Sequence, residues 1–387
     1  MANAIALARE REKRRDLWDA LIYHFPMQLR ELINVMEELA PTRYAEAWDN
    51  VGLLVGQLEQ EVHKILLTID YTSAVAEEGK SEGCDVVIAY HPPIFEGLKR
   101  VTAGLIYDAI RRGVAIYSPH TALDVAEGGT NDLLADVLGL DRREPLRVSQ
   151  GKLTQCKMVV FVPVEAADRV AEGLFEAGAG RIGNYSHCSY RSEGVGTFYG
   201  EEGARPTVGQ ARKFQRVDEV RLETVLPLER VGAAVRALRA AHPYEEPAFD
   251  LVQLVASQTK GQGRIGTFTS PVERGELIRR VKRELELAQL LVAGPTGGVV
   301  SKAAVGAGAC GDLINDALGQ AAEFYLTGEV RHHDALRAAE RGMTVVCTLH
   351  SNSERAVLKR VATRLDEKLP GVGVRISEAD RDPFVLG

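Results

Sequence analysis

Through the first third of the chain, short unbroken apolar runs alternate with stretches of helical spacing. Residues 28–39 carry Leu29, Leu32, Ile33, Met36 and Leu39, one face of a helix. ILLTID (65–70), DVVIAY (85–90) and VAIYS (114–118) then read as strands. Residues 73–82, 104–112 and 131–138 read as helices between and after them. β-Branched runs separated by helices predict parallel strands buried on both faces, the βαβ pattern of an α/β fold.

The rhythm changes after about residue 150. Strands are predicted at 157–164, 194–200, 219–226 and 248–255, with helices at 166–177 and 228–241. This β-α-β-β-α-β order is that of a ferredoxin-like domain. Its flanks, Ser149-Gln150-Gly151 and Gly261-Gln262-Gly263, read as linkers. From residue 264 the alternation resumes, with strands at 265–268, 289–293, 303–306, 324–327 and 344–349. Helices are predicted there at 272–287, 313–321, 332–341 and 354–368. The expected organisation is one α/β domain, 27–148 plus 264–387, interrupted by an inserted ferredoxin-like domain at 149–263. Three tandem domains are the alternative. Residues 1–26 are expected to form a helical extension, with Leu17, Trp18, Leu21 and Ile22 at helical spacing.

Composition narrows the class. Of 387 residues 45% are hydrophobic and 26% charged, which excludes a largely disordered chain, a coiled coil and a collagen-like repeat. No apolar stretch approaches the length of a membrane span. A net charge of −7 and an aromatic content of 6% give no basic, aromatic-laced stripe, so no nucleic-acid partner is expected. The five cysteines are scattered without a CxxC pair. A disulfide framework or thiolate zinc site is therefore not expected, and a reducing, cytoplasmic setting is. The charged start of the chain does not read as a signal peptide.

The informative residues come directly after the strands, where open α/β sheets bind their ligands. Tyr90-His91-Pro92-Pro93 succeeds the second run, and His120 through Asp124 the third. Glu329 and then His332-His333 come after the strand at 324–327, and His350 through Glu354 after that at 344–349. Five of the nine histidines lie at strand ends in opposite halves of the chain. If those halves share a sheet edge, imidazoles and carboxylates converge on one crevice. Mixed histidine and carboxylate ligands suit zinc, iron(II) or manganese. Singly, each piece has a plain structural reading: His91 as a buried turn residue, His120 and Asp124 as a helix-start contact, His332 and His333 as a solvated helix start. Ser351-x-x-Glu354 also reads as a helix capping box. The glycines at 128–129 and 308–311 are candidates for phosphate contacts through backbone N–H groups.

Together these segments resemble the GTP cyclohydrolase 1 type 2 homologues, also called Nif-three-like or dinuclear-metal-centre proteins. The matching stretches are AEAWDNVGLLVG (45–56), IAYHPPIFEGLKRVT (88–102), YSPHTALDVAEGGTND (117–132), LTGEVRHHDALRAAERG (326–342) and LHSNSER (349–355). The middle block resembles the PII/CutA-like insert of longer bacterial members, with HPYEEPAFD (242–250) as its marker. The resemblance implies His91, Asp124, His350 and Glu354 as ligands of one or two divalent ions. Tyr90 departs from the pattern, standing where many bacterial members have a histidine. It leaves a phenolate ligand, a water in its place or a single-metal site open, and a weakened second site is the favoured reading. The implied activity is metal-assisted hydrolysis of a nucleotide or related small molecule. His120 would orient or transfer protons, Glu354 would take part, and Glu329, His332 and His333 would line the substrate side. A non-catalytic metal-binding, delivery or regulatory protein is the alternative. The resemblance also implies a homohexamer, a trimer of dimers.

Overall fold

The structure, a computed structural model, describes residues 27–148, 155–254, 260–309 and 311–384. The expected extension at 1–26 and the first linker at 149–151 lie outside the described residues. The chain divides into two compact units at Ser149/Gln150 and Gln258/Thr259. Gly261–Gln262 pairs with Arg147–Val148 as a two-stranded ribbon, so this stretch of the expected insert is held by the outer unit. Among the described residues, no helix is long and apolar enough to cross a membrane.

The outer unit holds two mixed sheets, where the sequence suggested one shared edge. The first is five-stranded, in the order Gly373–Ile376, Lys64–Thr68, Val86–Ala89, Ala115–Ser118, Gly52–Val55. All its pairings are parallel except that of Gly52–Val55. The second is six-stranded, in the order Leu291–Ala293, Thr344–Cys347, Phe324–Thr327, Val299–Gly306, Arg264–Glu273, Asp141–Glu144. Its centre is parallel and its flanks antiparallel. Val86–Ala89, Ala115–Ser118, Phe324–Thr327 and Thr344–Cys347 are buried at every position, as their unbroken apolar runs require.

One core joins the two chain ends. Leu29, Leu32 and Met36 of the helix Leu29–Leu39 pack with Ile65, Leu67, Ile88, Val305, Phe324 and Val346. Val357, Leu358, Val361 and Leu365 join them from the helix His350–Lys368, along one face at helical spacing. Polar ties reinforce the join. Arg264 Nε donates to Asp132 Oδ1 at 2.6 Å, and the same guanidinium reaches the carbonyls of Gly261, Gly263 and Val125. Both side chains are buried, a geometry in which a full set of partners is needed to offset the lost hydration. Asn131, also buried, receives the N–H of Ala307 and donates to the carbonyl of Asp124.

The second unit is a four-stranded antiparallel sheet in the order Ser189–Tyr199, Phe214–Pro227, Gln155–Pro163, Phe249–Gln253. The helices Ala167–Glu176 and Val231–Ala241 supply Val170, Leu174, Ala234 and Leu238 to a core with Met158, Val160, Val162, Val220 and Leu222. The period of two along the strands selects that face.

Candidate metal centre

Tyr90 and His91 leave the end of Val86–Ala89 in the first sheet, and His350 and Glu354 occupy the first turns of the helix after Thr344–Cys347 in the second. One ligand atom each from His91, His350 and Glu354 lies within 4.8 Å of the others. His91 Nε2 stands 3.1 Å from Glu354 Oε2, and His350 Nε2 stands 3.5 Å from Glu354 Oε1. His91 Nε2 and Glu354 Oε2 are both buried, and neither has a partner in hydrogen-bond geometry. Two buried, unsatisfied polar atoms aimed at one point are costly unless a further group fills the space.

The remote ring nitrogens are held. His91 Nδ1 lies 2.9 Å from Asp70 Oδ1, and His350 Nδ1 lies 2.8 Å from Glu329 Oε1. A carboxylate behind each imidazole fixes the ring and leaves Nε2 facing the cluster, the usual support for a metal-binding histidine. Space is kept by glycine: Gly308 has φ +66°, and a Cβ there would come within 2.6 Å of Glu354 Oε1. Backbone strain gathers at the same place. Leu349, just ahead of His350, has φ +71° and His120 has φ +28°, both unusual for residues with a side chain.

The electrostatics call for positive charge. Burial disfavours a charged His91, but Asp70 and then Glu354 outweigh it and raise its pKa to about 10. Burial, then the charge of Glu354, pushes Asp124 up to about 6. The bond from His91, against burial, holds Asp70 below the ordinary carboxylate value. A proton on His91 thus occupies the place that a cation would take. The donors fit such a group: two imidazoles and a carboxylate, buried and converging, suit a borderline or hard divalent ion.

Not all expected residues meet. Asp124 is not among the three clustered residues; its Oδ1 accepts the hydrogen bond of the Tyr90 phenol, and the Glu354 charge acts on it. Tyr90 is fully buried, and its oxygen also lies 2.9 Å from Thr130 Oγ1. Burial, then the charges of Asp124 and Glu354, hold the phenol pKa well above its ordinary value. His120 lies beside the cluster, its ring 5.3 Å from that of His91, with Nδ1 2.7 Å from Asp49 Oδ1. Glu329 meets the cluster through its bond to His350. His332 and His333 begin the helix His332–Glu340 exposed and against each other, outside the cluster.

The structure corrects two expectations. Ser351 caps no helix: the helix starts at His350 with Leu349 at the cap position, and Ser351 Oγ donates to Asp382 instead. The glycine stretches are not phosphate cradles at the N–H groups seen. Gly128 N–H is taken by Asp132, Gly129 N–H by the carbonyl of Ala126, and Gly308 N–H by Ser353 Oγ. Residue 310 lies outside the described residues. Asp70 and Asp49 escape the sequence reading, although each stands at the same sheet edge as the histidine that it holds. A carboxylate one residue past ILLTI is the available signal for Asp70.

The profile of the family Duf34/NIF3 (NGG1p interacting factor 3) matches residues 27–383. The chain belongs to this family. A Bacillus subtilis relative, named GTP cyclohydrolase 1 type 2 homolog, is 35% identical over 366 residues, covering 92% of this chain and 98% of its own. A Mycobacterium leprae protein of the same name is 34% identical over 371 residues, covering 93% and 96%. Among solved structures, a Bacillus cereus protein related to NIF3 is 36% identical with a TM-score of 0.67, covering 94% of this chain and all of that one. The Staphylococcus aureus protein SA1388 is 26% identical with a TM-score of 0.78, covering 93% and 99%. The Duf34/NIF3 match thus spans both units, and the cluster of His91, His350 and Glu354 lies within it.

Proposed function

We propose that this Duf34/NIF3 chain is a divalent-metal-dependent hydrolase acting on a nucleotide or related small molecule. The reading rests on one observation: His91 Nε2 and Glu354 Oε2, brought from different sheets, are buried, face each other at 3.1 Å outside hydrogen-bond geometry, and converge with His350 within 4.8 Å. His91, His350 and Glu354 would hold zinc, iron(II) or manganese, and the ion when bound would lower the pKa of a water toward neutrality. Asp70 and Glu329 orient the two imidazoles. Asp49 takes the Nδ1 side of His120, leaving Nε2 to exchange protons with a substrate beside His91. The Asp124 carboxylate is engaged by the Tyr90 hydroxyl, which favours one tight ion per chain, with the second site weak. Trp48 and Phe95, both exposed and 5.8 Å apart, form an aromatic rim against His120 and suit a planar substrate.

The strand order of the second unit supports reading it as the ferredoxin-like, PII/CutA-like insert. Exposed apolar side chains on edge strands, Leu291 in the outer unit and Tyr190, Val195 and Tyr199 in the other, support assembly of copies as a trimer of dimers. Light scattering tests this, and a monomer at micromolar concentration contradicts it.

Half-exposed His350 favours a second reading, an ion held for delivery rather than catalysis. One assay separates the two. Metal-loaded protein is offered GTP and a nucleotide panel, beside His91→Ala and Glu354→Ala. Turnover that both substitutions abolish supports the hydrolase. No turnover with metal binding intact supports delivery.

A further inference from the structure

The HPYEEPAFD stretch is not used by the metal centre, and it borders a cavity in the second unit. The strand register places Phe161, Arg221 and Ser192 in one row across the sheet, with Glu219 opposite Gly194 in the next. These positions lie on the face opposite Val220 and Leu222, which enter the helix-covered core. Residues 204–208 and the turn at 243–248 rise from that face as walls, tied where Thr207 Oγ1 donates to the carbonyl of Pro243 at 2.6 Å. Between them is a cavity of about 610 Å³. That size is in the range of small-molecule sites.

The walls are fixed and the floor is cleared. His242 Nε2 donates to the carbonyl of Phe161 at 3.0 Å, and His242 Nδ1 accepts the N–H of Tyr244 at 3.1 Å. Tyr244 then donates its hydroxyl to Glu219 Oε1 at 2.9 Å. Gly194 and Gly196, two apart on one strand, leave the same face without side chains, a pattern that marks close approach of another group. The Glu219 carboxylate leans over Gly196, whereas the direction of a Cβ at Gly194 is open for 4 Å.

The lining has a chemical bias. Its apolar surface includes Phe161, Phe198 and Val208, and its carboxylates come from Glu193, Glu219, Glu245 and Glu246. Arg221 is the sole cation among the described lining residues, and its Nε donates to Glu223 at 2.8 Å. The excess charge facing the space is negative. We propose that this cavity binds a small organic cation: an amine or guanidinium carried on an apolar or aromatic body. The charged head would meet Glu219 and its neighbours, and the body would lie on Phe161 over the gap at Gly194. The proposal is independent of the metal reading.

Titration calorimetry of the full chain tests it with tryptamine, phenethylamine and agmatine, with indole-3-acetate as the matched anion. The expected result is that at least one amine binds roughly tenfold or more tighter than the anion, the scale of a lost charged hydrogen bond. Gly194→Leu, which the open space accommodates, is expected to abolish that binding, and Glu219→Gln to weaken it about tenfold. Circular dichroism checks that each variant folds, and Glu219→Gln alone carries the test should Gly194→Leu fail to. No amine binding, equal binding of the anion, or binding unchanged in the folded variants would overturn the proposal.

Discussion

The two units place polar groups in opposite ways. In the outer unit the chemistry stands at the ends of buried parallel strands, where backbone and side chains from two sheets enclose it. In the four-stranded unit it stands on the open face of an antiparallel sheet, walled by loops. Burial makes the difference. At the strand ends, Glu354 and His91 lose water and face each other without a good hydrogen bond, an arrangement that could hold a metal ion. On the open sheet, Glu219 keeps a partner in Tyr244, and the space beside it stays wide enough for an organic molecule. A cluster that could hold an ion and a cavity wide enough for a small molecule thus differ in how completely each fold removes water.

The largest expected effect tests whether the outer unit depends on its buried ties. Arg264→Ala strands Asp132 without its main partner and should destabilise that unit by about 3–5 kcal/mol. Hydrogen exchange should quicken around residues 124–132 and 261–264 while the four-stranded sheet keeps its protection. Equal loss in both units would break the contrast. Next, Asp70→Asn removes the carboxylate behind His91 and should weaken divalent-metal binding about 10- to 100-fold, read by calorimetry. Gly308→Ala should weaken it less, about tenfold, because the methyl group and the left-handed backbone act together against Glu354.

The smallest effect is a pH slope. His91 has a folded pKa of about 10 against roughly 6.5 for a free imidazole. Its contribution to stability is whole below about 6.5 and is lost as pH rises through the folded value. Metal-free protein should therefore melt at progressively lower temperature as pH rises from about 6.5 to 10, and His91→Gln should flatten that slope. A saturating divalent cation should flatten it too, since it displaces the same proton. A slope unchanged by either would show that His91 does not carry the site's charge balance.

Much of this was legible in the sequence because buried parallel strands need unbroken apolar runs, and the residues just past such runs lie at a ligand-binding edge. That logic located His91, His350 and Glu354 from segments some 260 residues apart. It could not show that two sheets, rather than one, supply the edge, because strand pairing beyond neighbours leaves no local mark. Nor could it show that Asp70 serves His91 or Asp49 serves His120, since each pair is joined only by folding. Ser351-x-x-Glu354 misled for a local reason. Leu349 enters with positive φ and starts the helix one residue early, which turns Glu354 inward as a site residue. The glycines misled because their N–H groups were already claimed by Asp132, Ala126 and Ser353.

The central claim is that His91, His350 and Glu354 grip one cation, and elemental analysis by mass spectrometry tests it most directly. Purified full-length protein should carry close to one zinc, iron or manganese per chain, and folded Glu354→Ala should carry almost none. Metal-free wild type that takes up no divalent ion, or a folded Glu354→Ala variant that retains the full complement, would contradict the account.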